Sequence, residues 1–121
     1  MLTPDGCDMR IVFDLDGTLC TGIPYEGAVP ILRMIEHLRL LHKDGNTIII
    51  QTARGMGSNS GNLGAAMRAV AELTISQLKQ WDIPYDELYF GKPSGDFYID
   101  DKAINAMALL TQLEVSNASG C

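Results

Sequence analysis

Four short apolar runs punctuate the chain, and each stops at a polar group. "RIVFDLD" ends on Asp14 and Asp16, "TIIIQTA" on Thr52, "LYFG" on Lys92 just beyond it, and "FYID" on Asp100 with Asp101. Such runs, bounded by turn residues, predict buried strands. Helical spacing fills the gaps between them. "PILRMIEHLRLLHKDG" carries apolar residues at 31, 35 and 38, with 32 and 41 beside them. Pro30 suits the first helical turn and Gly45 the residue after the last. "LGAAMRAVAELTISQLKQW" predicts a second helix and "DKAINAMALLTQL" a third. Strands alternating with helices predict an α/β fold with a short parallel sheet built of right-handed crossovers. "TIIIQTA" is apolar on both faces, as expected for a sheet covered by helices on both sides, a three-layer α/β/α arrangement.

The size fits one domain over 1–121, with 1–8 as a loose leader and 115–121 as a frayed tail. A chain of this length buries roughly two thirds of its unfolded surface. Its balance is acidic, 15 Asp and Glu against 9 Lys and Arg, for a formal charge of -6. With no Lys/Arg run to offer a local exception, nucleic-acid binding is not expected. No apolar stretch approaches the ~20 residues needed to cross a bilayer, and the N-terminus has no signal-peptide core. Cys7, Cys20 and Cys121 are odd in number and widely spaced, so they read as free thiols and favour a cytoplasmic location. Cys20 reads as a small packing residue beside the carboxylates. His37 and His42 stand five apart on the first helix, not four, and read as surface residues rather than a metal pair.

In a parallel sheet, ligands sit beyond the carboxyl ends of the strands. Asp14, Asp16, Thr52, Lys92, Asp100 and Asp101 are therefore expected on one rim. Asp14 and Asp16 are two apart, which in extended geometry points both side chains the same way. Gly17 can take positive φ and turn the chain away beneath them. Three carboxylates meeting without partners repel or hold a proton. A hard divalent cation removes that conflict, and oxygen ligands without His or Cys favour Mg²⁺ or Ca²⁺ over zinc. Lys92, the Thr52 hydroxyl and backbone N–H groups of the glycine turn suit the oxygens of a phosphoryl group. Of two neighbouring carboxylates, one can attack phosphorus while the other transfers the leaving-group proton.

These residues resemble the haloacid-dehalogenase-like (HAD) phosphatase superfamily. "DLDGT" looks like its first motif, "TIIIQTAR" its second, "GKP" its third and "YIDD" its fourth, in that order over residues 10 to about 105. The resemblance implies a Rossmann-like HAD core and a Mg²⁺-dependent phosphatase acting through an aspartyl phosphate. It makes Asp14 the nucleophile and a metal ligand. It makes Asp16 the general acid/base, with its main-chain carbonyl also on the metal, and Asp100 a further ligand. Thr52, Ala53, Lys92 and Gly17 form the implied phosphate-binding set. Asp101, Arg54 and Asn59 are candidates for supporting the metal shell or for reaching substrate.

"CTGIPYEG" and "GMGSNSGN", where HAD members insert cap domains, are too short to hold one, so no cap domain is expected. An open rim on an acidic chain favours a small phosphorylated substrate and a homo-oligomer, with a tetramer preferred. "TARGM…GN", "IPYDELYFGKP" and "YIDDKA" are similar to small predicted phosphatases of capsule or surface-polysaccharide synthesis, which points to a sugar phosphate. The alternatives are a phosphotransferase or phosphomutase, a polynucleotide-end phosphatase, and a non-catalytic Mg²⁺-binding interaction module. A phosphorelay receiver fits less well, because its phosphorylated Asp belongs on a later strand and its Lys-Pro after the last.

Overall fold

The computed structural model describes residues 9–118, and side chains as far as Leu113. Three strands form the sheet: β1 (Arg10–Asp14), β2 (Thr47–Thr52) and β3 (Glu87–Phe90). They lie in the order β1-β2-β3, all parallel, with Phe13 beside Ile50 and Thr52 beside Phe90. Three helices complete the fold: α1 (Leu32–Lys43), α2 (Leu63–Gln80) and α3 (Ala106–Ala118). This is a small Rossmann-like α/β fold with an open sheet. No domain is inserted between β1 and α1 or between β2 and α2, where only a one-turn 3₁₀ helix (Tyr25–Gly27) and a ten-residue loop, 53–62, intervene. Among the described residues no helix is long and apolar enough to cross a membrane.

Burial follows the strand period of two. Ile11 and Phe13 face the same side as their partners Ile48 and Ile50, and Phe13, Ile48 and Ile50 join the main core. Ile49, between them, is buried on the opposite face, so the central strand is covered on both sides as its composition implied. From α1 the core takes Met34, Ile35, Leu38 and Leu41, a stripe at helical spacing. Leu32 was expected on that stripe but is 62% exposed, and Met34 takes the buried position. At about 100° per residue Leu32 lies well round the helix from Met34, Ile35, Leu38 and Leu41, so it faces out. Ile31, not Pro30, precedes its first residue, and Pro30 lies outside. Gly45 follows the last turn at φ 96°, as expected.

α2 starts where its cap dictates, the Asn62 side chain accepting a hydrogen bond from Ala65 N–H at 2.8 Å. α3 starts at Ala106, five residues later than periodicity suggested. Asn105 Oδ1 accepts from Ala108 N–H and sets the boundary there. The helix continues to Ala118, into the segment expected to fray; the leader 1–8, Cys7, Cys121 and residues 119–121 lie outside the described residues.

The expected fourth strand does not form. Residues 97–100 carry no sheet pairing, and Phe97 and Ile99 are 87% and 100% exposed. Tyr98 supplies the reason. Its hydroxyl donates to the Pro93 carbonyl at 2.7 Å and accepts from Gly95 N–H, while its ring lies 4.2 Å from the Lys92 ammonium. These local contacts fold the loop back on itself in place of an extended pairing.

His37 was expected on the surface and is instead half-buried, with Nε2 enclosed and without a hydrogen-bond partner among the described residues. Burial lowers its pKa below the ordinary 6.5. A basic group depressed in the fold binds fewer protons there than in the unfolded chain, so stability rises with pH. The contribution is fully present above about pH 6.5 and is lost as pH falls from there through the folded value. Urea midpoints at pH 7 and pH 5 are therefore expected to differ more in the wild type than in His37→Leu.

Candidate active site at the sheet rim

Parallel strands put their carboxyl ends on one rim, and that rim holds Asp14 at the end of β1 and Thr52 at the end of β2. Lys92 lies two residues beyond the end of β3, its N–H donating to the Thr52 carbonyl at 3.1 Å. Gly91 makes this step possible. Its φ is 96°, and a Cβ there would stand 2.8 Å from Leu63 Cδ1. From that turn Lys92 reaches back across β2, and its Nζ lies 3.3 Å from Asp14 Oδ1. The Tyr98 ring covers the ammonium from the other side. Burial pushes the Asp14 carboxyl above its ordinary range; Lys92 opposes the shift without overcoming it.

Asp16 was expected to point alongside Asp14, but β1 ends at Asp14, so strand alternation stops there. Leu15 is fully buried, and its carbonyl gathers the N–H groups of Thr18, Leu19 and Cys20 in a tight turn. Gly17 sits in that turn at φ 87°, the conformation expected of it. Its N–H donates to the Cys20 carbonyl at 2.7 Å. The glycine therefore shapes the turn and has no N–H free for phosphate, a correction to the expected role.

The Asp16 carboxylate meets Arg54. Nε lies 3.1 and 3.0 Å from its two oxygens and Nη2 lies 2.9 Å from Oδ1. Arg54 was expected near substrate, but its side chain is 0% exposed, while that of Asp16 is 22% exposed. Its Nη1 donates to Thr74 Oγ1 at 3.2 Å and to Gln77 Oε1 at 2.5 Å, and its plane lies over the Tyr25 ring at 4.8 Å. Each carboxylate of the opening motif thus has its own cation, Lys92 for Asp14 and Arg54 for Asp16. The repulsion that seemed to require a metal is answered within the chain, so the case for a cation must rest on Asp14 and on oxygen chemistry.

Thr52 is fully buried, its Oγ1 accepting from Arg54 N–H at 3.0 Å. Ala53 follows it, half-buried. The Asn59 amide donates to the Gly55 carbonyl at 2.6 Å and so braces its own loop. Asp100 and Asp101 are exposed; Asp100 Oδ1 accepts from Lys102 N–H and is not brought to Asp14. Among the described residues no three His, Cys, Asp or Glu gather into a metal-holding group. Cys20 is buried, as expected of a packing residue, with Sγ 3.4 Å from Asp16 Oδ1. Burial, and then the neighbouring carboxylate, push its thiol up to about 12, so it offers neither a thiolate ligand nor a nucleophile at neutral pH. What the rim can offer a cation is oxygen, chiefly the Asp14 carboxylate, whose side chain is 33% exposed. That donor chemistry fits a hard cation such as Mg²⁺, which binds through one or two carboxylates and keeps several waters.

Thr74 and Gln77 are the site residues that sequence reasoning missed. They are buried polar groups on α2, three apart, among the buried apolar positions Val70 and Leu78. Two polar residues on an otherwise apolar stripe were the available signal.

No family model and no curated protein matches the chain. Among solved structures, the crystal structure of a structural-genomics (MCSG) target from Vibrio cholerae is similar, with a TM-score of 0.77 and 33% identity over 90% of this chain and 98% of that one. Two structures of a Pnkp1/Rnl/Hen1 complex, one described as an RNA repair complex, match at 20% and 21% identity with TM-scores of 0.54 and 0.51. The match spans 93% of this chain but only 35% and 33% of theirs, and it is a likeness of fold.

Proposed function

The chain belongs to the same family as the Vibrio cholerae protein, and from the rim its strands build we propose a Mg²⁺-dependent phosphomonoesterase of the HAD type. The observation that supports this reading most is the Asp14–Lys92 pair. A carboxylate whose charged form is disfavoured by burial is more basic, and so a better nucleophile, than one in water. The ammonium at 3.3 Å holds it in place and supplies positive charge where phosphoryl oxygens would gather.

In this reading an Asp14 oxygen attacks phosphorus and the bond from phosphorus to the leaving oxygen breaks. Asp16, at rest the carboxylate paired with Arg54, takes up a proton brought by the bound ester's monoanion and passes it to the leaving oxygen, which leaves a carboxylate and a free alcohol. In the second half that carboxylate takes a proton from water as the water oxygen bonds phosphorus. The bond to Asp14 breaks, phosphate departs with the proton that Asp16 took from water, and both aspartates return to their carboxylate states. Thr52 is fully enclosed and its hydroxyl accepts from Arg54 N–H, so in this reading it orders the loop that follows β2 beside the ester. The Asp14 carboxylate and the Asp16 main-chain carbonyl would hold Mg²⁺, which would supply charge neutralisation of the phosphoryl oxygens. With no inserted cap, the rim is open, and the net charge of -6 favours a small ester such as a sugar phosphate over a polynucleotide.

The test is a screen of sugar phosphates, nucleotides, small acid phosphates and an end-phosphorylated oligonucleotide, with Mg²⁺ and with excess chelator. Hydrolysis of a small ester that disappears in chelator and returns with added Mg²⁺ is expected. Undiminished turnover in chelator, or preference for the oligonucleotide, counts against the reading.

A further inference from the structure

We infer that Arg54 is the positioning residue of this site, and that it aims the Asp16 carboxylate so that Oδ2 carries the transferred proton. The inference rests on the phosphatase reading above and adds to it. A guanidinium has five N–H donors. Here Nε–H is shared between the two Asp16 oxygens, and the Nη1 hydrogens go to Thr74 Oγ1 and Gln77 Oε1. The Nη2 hydrogens go to Asp16 Oδ1 and, at 3.6 Å, to Cys20 Sγ. All five are spent inside the protein, so none remains for a substrate. On the carboxylate the donors are unequal. Oδ1 faces Nε, Nη2 and the Cys20 thiol, whereas Oδ2 faces only the shared Nε–H. A carboxylate oxygen has two lone pairs. Oδ1 is filled and Oδ2 keeps one free, on a side chain that is 22% exposed.

The guanidinium is itself anchored. Gln77 holds Nη1 with its oxygen and donates its amide to the Tyr25 carbonyl at 2.6 Å, while the Tyr25 ring lies against the guanidinium. α2 and the loop after β1 thus clamp Arg54 from two sides, and Arg54 transmits that rigidity to Asp16.

Two variants test this, Arg54→Lys and Gln77→Met, each assayed on p-nitrophenyl phosphate and on glycerol phosphate with Mg²⁺. p-Nitrophenolate leaves without a proton, whereas an alkoxide needs one. Misaiming Asp16 is expected to lower kcat for glycerol phosphate by on the order of 10–100-fold. p-Nitrophenyl phosphate is expected to give a burst of one p-nitrophenolate per site at close to the wild-type rate, followed by slowed turnover. KM for glycerol phosphate is expected to stay within about threefold of wild type, because both proton-transfer steps slow together, whereas KM for p-nitrophenyl phosphate falls along with its slowed turnover. A large rise in KM would assign Arg54 to substrate binding. Equal losses on both esters with no burst would reduce it to a structural role. Either result overturns the inference. Gln77→Met keeps the Arg54–Asp16 charge pair, so it carries the test if Arg54→Lys fails to fold. A wild-type protein inactive on these two esters and on every ester of the screen above, or an Asp14→Asn variant that still turns over, refutes the Asp14 phosphatase reading itself, and does so before either variant is compared.

Discussion

Asp14→Asn is expected to abolish phosphoester turnover while the melting temperature holds or rises. The substitution keeps size and shape at the end of β1 and removes the oxygen that would attack phosphorus together with the carboxylate that would hold Mg²⁺. The stability half follows from linkage. Burial raises the Asp14 pKa in the fold even with Lys92 at 3.3 Å, so at neutral pH the ionised carboxylate costs the folded state more than it costs the unfolded chain. A carboxyl with a raised folded pKa contributes its stability below the unfolded value, and loses it as pH climbs through the folded one. Asparagine removes that penalty. Lys92 loses its partner, but the Tyr98 ring at 4.2 Å remains over its ammonium. Thermal melts at pH 7, run beside a turnover assay on the same preparation, check both halves. Retained turnover would sink the Asp14 mechanism, and a marked fall in melting temperature would sink the account of its burial.

Asp16→Asn should behave in the opposite way, losing stability as well as activity. The Arg54 side chain beneath it is fully enclosed, and Asp16 is the carboxylate that balances its charge. Removing one partner of a buried ion pair strands the other, at a cost of about 3 kcal/mol where, as here, one side chain keeps some solvent access. For a chain of this size that is a drop in melting temperature on the order of 10 °C. Loss of the proposed proton transfer through Asp16 is expected to add a fall in kcat on the order of 10²–10⁴-fold. Read from the sequence, this substitution touches chemistry only, and the pairing with Arg54 makes it a folding substitution too. A protein that melts like the wild type while losing activity would show that Arg54 finds its counter-charge elsewhere. Two aspartates separated by one leucine are thus expected to give opposite stability responses to the same substitution.

The elements that could be read locally are those whose causes are local. β2 is a β-branched run, and Asn62 caps α2 through its own side chain. Gly17 and Gly45 stand at positive φ where a turn demanded it. The 97–100 segment misled for the same reason. Its apolar content resembles a strand, but Tyr98 is captured by Lys92, Pro93 and Gly95, and no local pattern announces that competition. Arg54 is a sharper case. In a polar loop just after Thr52 it reads as a group facing solvent or substrate, and its burial depends on Thr74 and Gln77 from the middle of α2.

Order along the chain was enough to establish alternating strands and helices, a parallel sheet, and a rim on which Asp14, Thr52 and Lys92 meet, because strand ends and parallel pairing follow from short-range pattern. Which charge answers which could be decided only by the folded molecule. Lys92 reaches Asp14 across an intervening strand, and Arg54 reaches Asp16 from 38 residues away under α2. Such pairings depend on distances through space and on what is shut off from water, and a linear sequence carries neither.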